Sequence, residues 1–297
     1  AQAVRAPHGL TLVERILLVV ERTLAQDFAS CTAGADTNVD LFGAAMVVAR
    51  LRGPVVDPHA VARELDLLAE AVVERLAEGS STWELIDAIN TELFDEYGFA
   101  GNVENYADAE NSYFDRVVAR RTGIPITLSL LYMEVAQRVG LRCDGIGYPG
   151  HFLVRCGSPG DGIFIDPFNR GARLEAGDLV TRLRAVPLPA APETYLAAVT
   201  RRQLLQRMLR NLHAVFREQR DVPRWLAVVD LLLVLEPWNA QLVGERGMLH
   251  YRQGRPEHAL ADLERYVGAN GPRAVSSGAL RLLDELRLRY GGSEDGS

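Results

Sequence analysis

A histidine stands at the start of a short apolar run, directly after a Pro-Gly turn, in the stretch YPGHFLVRC that ends at Cys156. A second apolar run, GIFIDPF, follows across the segment GSPG. If that segment is a four-residue hairpin loop, Cys156 pairs with Asp161, and counting back along the strands places His151 opposite Asp166. Directly opposed residues have Cβ atoms about 4.5–5.5 Å apart, which brings these two side chains within hydrogen-bonding reach. The spacing therefore predicts a His-Asp pair.

An imidazole held by a carboxylate can act as a general base. An ionised Asp166 would accept one ring N–H of His151, fix its tautomer and leave the other ring nitrogen free. The alternative is a buried polar pair with no chemical role, and a register slip of one residue would place the two side chains on opposite faces. No metal site or cofactor is predicted, because metal ligands must cluster. The other candidate histidines stand singly on predicted helices: His59, His213, His250 and His258.

The elements that must position this pair change in character along the chain. Residues 10–97 repeat apolar residues at helical intervals and predict an antiparallel helical layer. A polar loop follows, then the short helix SYFDRVVARR, which we expect Asn111 to cap. The next segment, IPITLSLLYMEVAQRV, is apolar nearly all round and predicts a buried helix with Pro125 in its first turn. Three short runs, LRCDGIGY, HFLVRC and GIFIDPF, predict strands.

The last third of the chain is predicted to form helical repeats. Residues 174–200 are rich in Ala and Pro and suit a linker. Beyond them, WLAVVDLLLVLEP and HALADLERYVGANGP share an Ala-x-x-Asp-Leu core, and the period near 32 residues approaches that of tetratricopeptide repeats. The prediction is an α+β protein. It has a mostly helical first half with a small antiparallel sheet (1–185), an all-α repeat region (186–290) and a disordered tail (291–297).

Composition narrows the classes of partner. The formal net charge is −7, and the 32 basic residues are scattered among 39 acidic ones, which argues against a nucleic-acid partner. Apolar runs fall far short of the roughly 20 residues that cross a bilayer, and the first residues lack the pattern of a signal peptide. Cys31, Cys143 and Cys156 are too few for a disulfide framework and lack metal-type spacing. These observations predict a cytoplasmic protein without a membrane partner.

Several blocks carry a resemblance to a known family: GFAGNVENYADAENSYFDRVVARRTGIPITLSLLYMEVAQRVGL, GYPGHFLVR and FIDPFNRG. They resemble the bacterial SirB family, in which a transglutaminase-like domain precedes tetratricopeptide-like helices. The resemblance runs from Asp40 to Val267. It implies a transglutaminase/papain-like fold with a catalytic Cys at the start of the buried helix, a His on the next-but-one strand and an Asp on the strand after that. His151 and Asp166 match the last two.

The cysteine that the resemblance implies has no counterpart. Counting back from the glycine that ends the buried helix places that position at Pro125, which offers no nucleophile. The hydroxyls of Thr127 and Ser129 are alternatives, although hydroxyls near a helix start more often cap it or bond to backbone carbonyls. Cys143 and Cys156 lie on predicted strands, away from the helix N-terminus that would lower a thiol pKa.

Other residues of these blocks are candidates for binding. Four of them precede the buried helix and would line a groove beside the histidine: Asn102, Tyr106, Asn111 and Tyr113. The alternative is that Asn111 caps and the tyrosines pack. Arg155 alternates with the histidine along one face and is a candidate partner for a carboxylate.

Two functions of different classes remain open. The favoured one is a non-catalytic, transglutaminase-like protein that retains its His-Asp pair and binds a protein or peptide partner, or regulates one, through its helical repeats. The other is a hydrolase or acyltransferase on peptide or amide bonds, with Thr127 or Ser129 as nucleophile, His151 as base and Asp166 as orienter. The missing thiol favours the first, because a hydroxyl is a weak nucleophile unless its base lies within hydrogen-bonding distance.

Overall fold

The computed structural model describes residues 23–290, apart from residues 54, 159 and 161. The described chain forms two compact units. The first comprises residues 34–219, and the second combines residues 23–33 with residues 220–290. Three predictions concern residues outside this range: most of the helix predicted to begin near residue 10, the lack of a signal-peptide pattern, and the disordered tail at 291–297.

Helices dominate both units. They are α1 (described over 23–31), α2 (Leu41–Ala49), α3 (Pro58–Glu74), α4 (Thr82–Asn90), α5 (Phe114–Arg120), α6 (Pro125–Arg138), α7 (Ala176–Arg184), α8 (Arg201–Gln219), α9 (Val222–Leu235), α10 (Ala240–Arg252), α11 (Pro256–Asn270) and α12 (Ser277–Tyr290). The strands are β1 (Ala100–Gly101), β2 (Thr122–Gly123), β3 (Cys143–Ile146), β4 (Leu153–Cys156), β5 (Ile163–Asp166) and β6 (Ala172–Leu174). The predicted α+β class with a helical C-terminal region is confirmed.

The first unit is built around α6 and a four-stranded antiparallel sheet in the order β3-β4-β5-β6. Because apolar residues occupy nearly every position of its first turns, α6 is buried on all sides, as predicted. It packs against β3 and β4 on one side and against α3 and α5 on others. Each fully buried Leu of this helix contributes about 1.5–3 kcal/mol relative to exposure, so the start of α6 is held firmly in place.

The pairing of β4 with β5 differs from the prediction by two residues. Cys156 pairs with Ile163, not with Asp161, and Val154 pairs with Ile165. The tight GSPG loop is wrong: a Cβ atom on Gly157 would lie 3.9 Å from Cα of Gly162, so Gly157 still faces the strand that it was predicted to leave, and its N–H bonds to the carbonyl of Arg142, just before β3. A slip of two residues keeps every side chain on its predicted face.

The segment predicted as a linker contains structure, and the first unit extends past residue 185. Within it, α7 buries Leu179 and Leu183. The carboxylate of Asp36 accepts hydrogen bonds from the N–H groups of Arg201 and Arg202, and so caps the start of α8. The apolar face of α8 is buried in the same unit. Strands β1, β2 and β6 were not predicted, because two- and three-residue strands leave no periodic signal.

The second unit is a helical array in which α10 packs against α9 and α11, and α11 packs against α12. A Cβ atom on Gly244 would lie 2.6 Å from the ring of Tyr266, so glycine lets α10 and α11 approach closely. Arg246 bridges two carboxylates, with Nε 2.6 Å from Asp262 and Nη1 3.1 Å from Asp230. No helix among the described residues is both long enough and apolar enough to cross a membrane.

Candidate functional site

A tight turn presents His151. The His151 N–H donates to the carbonyl of Tyr148 over 2.9 Å, and the corner residues are Pro149 and Gly150. Gly150 has φ +71°, which a type II turn requires at its third residue and which glycine adopts without strain. The turn sets His151 just before β4, which begins at Leu153.

His151 and Asp166 are in contact, although they are not directly opposed in the sheet. Nε2 of His151 lies 2.9 Å from Oδ1 of Asp166. The same carboxylate accepts the N–H groups of Phe168 and Asn169, and its Oδ2 accepts the Asn169 side-chain amide over 2.7 Å. The predicted contact is therefore present, while the predicted register is wrong.

The surroundings of Asp166 favour its ionised form. Burial alone would raise the pKa of this carboxyl, but the hydrogen bonds from His151 and Asn169 outweigh burial and hold the pKa below its usual range. An ionised carboxylate accepts the Nε2–H of His151 and so fixes the tautomer in which Nδ1 is unprotonated. Nδ1 is then the ring nitrogen that is free to accept a proton.

An aromatic ring holds the imidazole from the side. Phe168 meets the ring of His151 edge-on, with centroids 5.8 Å apart, and meets Tyr106 at 6.3 Å. A Cβ atom on Gly101 would lie 2.5 Å from the Phe168 ring, so only glycine leaves room for this ring in its present position.

The imidazole opens onto a small cleft of about 20 Å³. Two of its walls come from the start of α6, at Pro125 and Ile126, and from α8, at Arg207 and Asn211. Drug-sized ligands occupy pockets of about 300–1,000 Å³, so this cleft has room for a single small group. Among the described residues, no three His, Cys, Asp or Glu side chains are grouped as metal ligands would be.

The two candidate hydroxyls bond elsewhere. Thr127 is fully buried, and its Oγ1 donates to the carbonyl of Asn111 over 2.8 Å and accepts the N–H of Ile124. Ser129 is also fully buried, and its Oγ donates to the carbonyl of Phe152 over 3.4 Å. Both hydroxyls therefore serve backbone groups instead of the imidazole.

Of the four candidate binding residues before α6, only Tyr106 lines the cleft. Asn111 does not cap α5, which begins after Tyr113 without a side-chain cap. Instead its buried amide donates to the carbonyl of Asn105 and accepts from the Asn102 side chain, which ties the loop together. Tyr113 is buried in the core, because its position at the start of α5 points inward.

Arg155 has the carboxylate partner that its type suggests. Its Nη2 lies 3.1 Å from Asp144, which is its cross-strand neighbour on β3. The ion pair lies within the sheet. Cys143 and Cys156 are likewise opposed across β3 and β4 and form a disulfide, contrary to the expectation from the low cysteine count. The physical reason is the register of β3 with β4, which brings the two thiols together however few cysteines the chain contains.

Sequence reasoning missed Arg207 and Asn211, because α8 was assigned to the repeats. Both guanidinium ends of Arg207 donate to the carbonyl of Tyr148, each over 3.2 Å, and the group lies over the Phe152 ring. Arg207 therefore anchors the turn that presents His151. Their spacing of four residues places Arg207 and Asn211 on one helix face, but it does not show what that face meets.

Comparison with known proteins decides the family. A family model described as the transglutaminase-like superfamily matches residues 59–210, which is just over half of the chain. The chain belongs to the transglutaminase-like superfamily. A tetratricopeptide-repeat model matches residues 209–283 of this transglutaminase-like protein.

Relatives of this transglutaminase-like protein support the same grouping. It is 36% identical to a UPF0162 protein of Xylella fastidiosa (strain 9a5c), over 86% of this chain and 90% of that protein. It is 34% identical to F-box only protein 21 of Mus musculus, over 58% of this chain and 28% of that protein. Protein SirB1 of Salmonella typhimurium is 26% identical, over 69% of this chain and 77% of that protein. The resemblance to the SirB family is confirmed.

Proposed function

We propose that this chain is a non-catalytic transglutaminase-like protein whose helical repeats bind a protein partner. The observation that carries the proposal is Pro125 at the first position of α6, in the cleft that His151 lines. Covalent acyl chemistry needs a nucleophile beside the base, and a proline side chain has none. The base and its carboxylate remain, and the attacking atom is missing.

The bonds of the nearby hydroxyls support this proposal over a hydroxyl-based hydrolase. A serine or threonine nucleophile needs its base within about 2.6–3.2 Å. Thr127 holds the first turn of α6 to the preceding loop instead. Ser129 is the better remaining candidate, because its carbonyl partner belongs to Phe152, the residue after His151. Full burial of Ser129 still separates its hydroxyl from any substrate.

The surface of the second unit supports partner binding. Trp238 is 77% exposed, between α9 and α10. With Pro237, Val243 and Arg265 it borders a pocket of about 140 Å³. An exposed Trp beside an apolar pocket is the kind of anchor that carries much of the energy of protein interfaces.

For the cellular setting we propose the cytoplasm, without a nucleic-acid or membrane partner. The support is the scattered charge of −7. In a reducing compartment Cys143 and Cys156 would be opposed thiols instead of a disulfide. Mass spectrometry after rapid alkylation of cells distinguishes the free thiols from the disulfide. A persistent disulfide would argue for an oxidising compartment.

The catalytic part of the proposal is tested with the full-length protein. Incubation with a glutamine-donor peptide and a fluorescent amine tests transamidation, and incubation with peptide anilides tests hydrolysis. We expect no turnover above buffer in either assay, for the wild type and for His151→Ala alike. Turnover that disappears in both His151→Ala and Ser129→Ala would establish the hydroxyl enzyme and overturn the proposal.

The binding part is tested by capturing partners from cell extract with full-length variants. We expect Trp238→Ala to reduce capture of the specific partner and His151→Ala to leave it unchanged. Tyr251→Ala is the matched control, since Tyr251 is an exposed aromatic residue of the same unit. Loss of capture in His151→Ala with unchanged stability would contradict a binding role confined to the repeats.

A further inference from the structure

Arg207 differs from two other partly buried arginines of the first unit, Arg52 and Arg155. Arg52 pairs with Asp115 at 2.5 Å, and Arg155 pairs with Asp144 at 3.1 Å. Within the described part of the chain, Arg207 has no carboxylate at salt-bridge distance. Burial lowers the pKa of Arg207, as expected for a guanidinium that has lost water without gaining a counter-charge.

Arg207 keeps donors to spare. A guanidinium carries five N–H donors, and the Tyr148 carbonyl uses two of them. Asn211 lies one turn further along α8 and lines the same cleft. Its side-chain amide forms no hydrogen bond with any residue that the structure describes. Two sets of donors therefore converge on one small space.

The size and charge of the cleft select the group that fits. About 20 Å³ accommodates the head of one small group and excludes a whole side chain or a ring. A carboxylate suits these donors, because a guanidinium binds it with two parallel hydrogen bonds. The adjoining start of α6 adds the positive end of a helix dipole, which also favours negative charge.

We propose that the cleft between α6 and α8 binds the carboxylate of a peptide, through the guanidinium of Arg207 and the amide of Asn211. The carboxylate is either the C-terminal one or that of an Asp or Glu side chain. This inference rests on the proposed function, because it assigns binding to the cleft from which the nucleophile has been lost. His151 borders the same space, and its unprotonated ring nitrogen donates no hydrogen bond to the carboxylate.

The test uses three small probes on the full-length, ¹⁵N-labelled protein, followed by NMR. N-acetylglycine carries a terminal carboxylate, N-acetylaspartic acid α-amide carries only a side-chain carboxylate, and N-acetylglycinamide carries none. We expect saturable shifts of the Arg207 Nε–H and Asn211 amide signals with the acids and none with the amide. The tighter of the two acids identifies the source of the carboxylate. No saturable shift with either acid, or equal shifts with the amide, would overturn the proposal.

Asn211→Asp is the decisive variant, because it supplies a carboxylate four residues from Arg207 on the same helix face. This internal competitor should weaken N-acetylglycine binding by about tenfold or more, while the protein stays folded. Gln219→Glu makes the same charge change at the exposed end of α8 and should retain wild-type affinity. Equal affinity of the wild type and Asn211→Asp would overturn the site.

The two proposals fail in different ways. Amide turnover that depends on His151 would refute the non-catalytic function, whatever the probes do. A protein that is inactive on amides and still captures its partner, but shows no shift with the acids, would refute only the carboxylate site.

Discussion

Replacing Pro125 with cysteine would restore a thiol at the first position of α6, in the cleft that His151 lines. A helix start stabilises a nearby anion by about 0.3–1 kcal/mol, which lowers a pKa by about 0.2–0.7. A protonated imidazole within a few ångströms lowers the pKa by about 1–3 more. From an ordinary value of about 8.5, the introduced thiol is expected to titrate at about 5–7, with burial of the position acting in the opposite direction.

The assay is a pH titration of the ultraviolet absorbance of the thiolate in full-length Pro125→Cys, with the wild type subtracted. Burial and helix dipole are the same in the double variant Pro125→Cys/His151→Ala, so the difference between the two titrations isolates the imidazole. Its removal should raise the pKa of the introduced thiol by about 1–3. Pro125→Ser serves as a folded control without a thiol.

Equal pKa values in the two variants would refute the reasoning. In that case the imidazole does not face the start of α6, and Pro125 does not occupy the place of a lost nucleophile. A difference of the expected size, together with the inactivity of the wild type, would support a site that lacks only its attacking atom.

Three further predictions concern stability. Hydrogen bonds hold the pKa of Asp166 below its unfolded value of about 3.9. The free energy of unfolding should therefore decline as the pH falls through the folded-state pKa of Asp166. In urea titrations at a series of pH values, Asp166→Asn should make this decline smaller. Gly101→Ala should destabilise by about 1–3 kcal/mol in chemical denaturation, because Phe168 must move, whereas Gly177→Ala, in open space, should not destabilise. Arg246→Gln should cost about 3 kcal/mol in the thermal unfolding of the second unit, since it strips buried Asp262 of its closest partner; a cost below about 1 kcal/mol would contradict this.

The sequence predicted the His-Asp contact through an error that happened to be harmless. The hairpin count was displaced by two residues, and side chains in a strand alternate with a period of two, so Asp166 stayed on the predicted face. Burial of α6 and the position of Pro125 also followed from the sequence, because an all-apolar helix start needs no knowledge of its neighbours.

The pairing of Cys143 with Cys156 could have been predicted by the same kind of residue count. Residues equidistant from the Pro149-Gly150 turn are cross-strand neighbours, and that count pairs Cys143 with Cys156. The length of the GSPG connection could not be predicted in this way, since Gly157 also bonds to Arg142, which lies just before β3 and outside the β4–β5 hairpin. A local count cannot include such a contact.

The contribution of α8 to the site could not be predicted, because it depends on contacts between distant parts of the chain. Asp36 caps α8 across 165 residues of sequence. Periodicity shows only that α8 is amphipathic and does not show which unit covers its apolar face. Arg207 thus became part of the cleft through packing that no short segment encodes.

The division of the chain has a consequence for how such proteins can be reassembled by recombination. Residues 34–219 are one uninterrupted stretch, whereas the second unit takes its residues from both sides of that stretch. A single crossover after Gln219 would combine the repeats of one parent with the α1 of the other. A single crossover at residue 185 would also exchange α8, and with it Arg207 of the first unit. Viable chimeras of this architecture are therefore expected to need two junctions, with the first unit exchanged as a cassette.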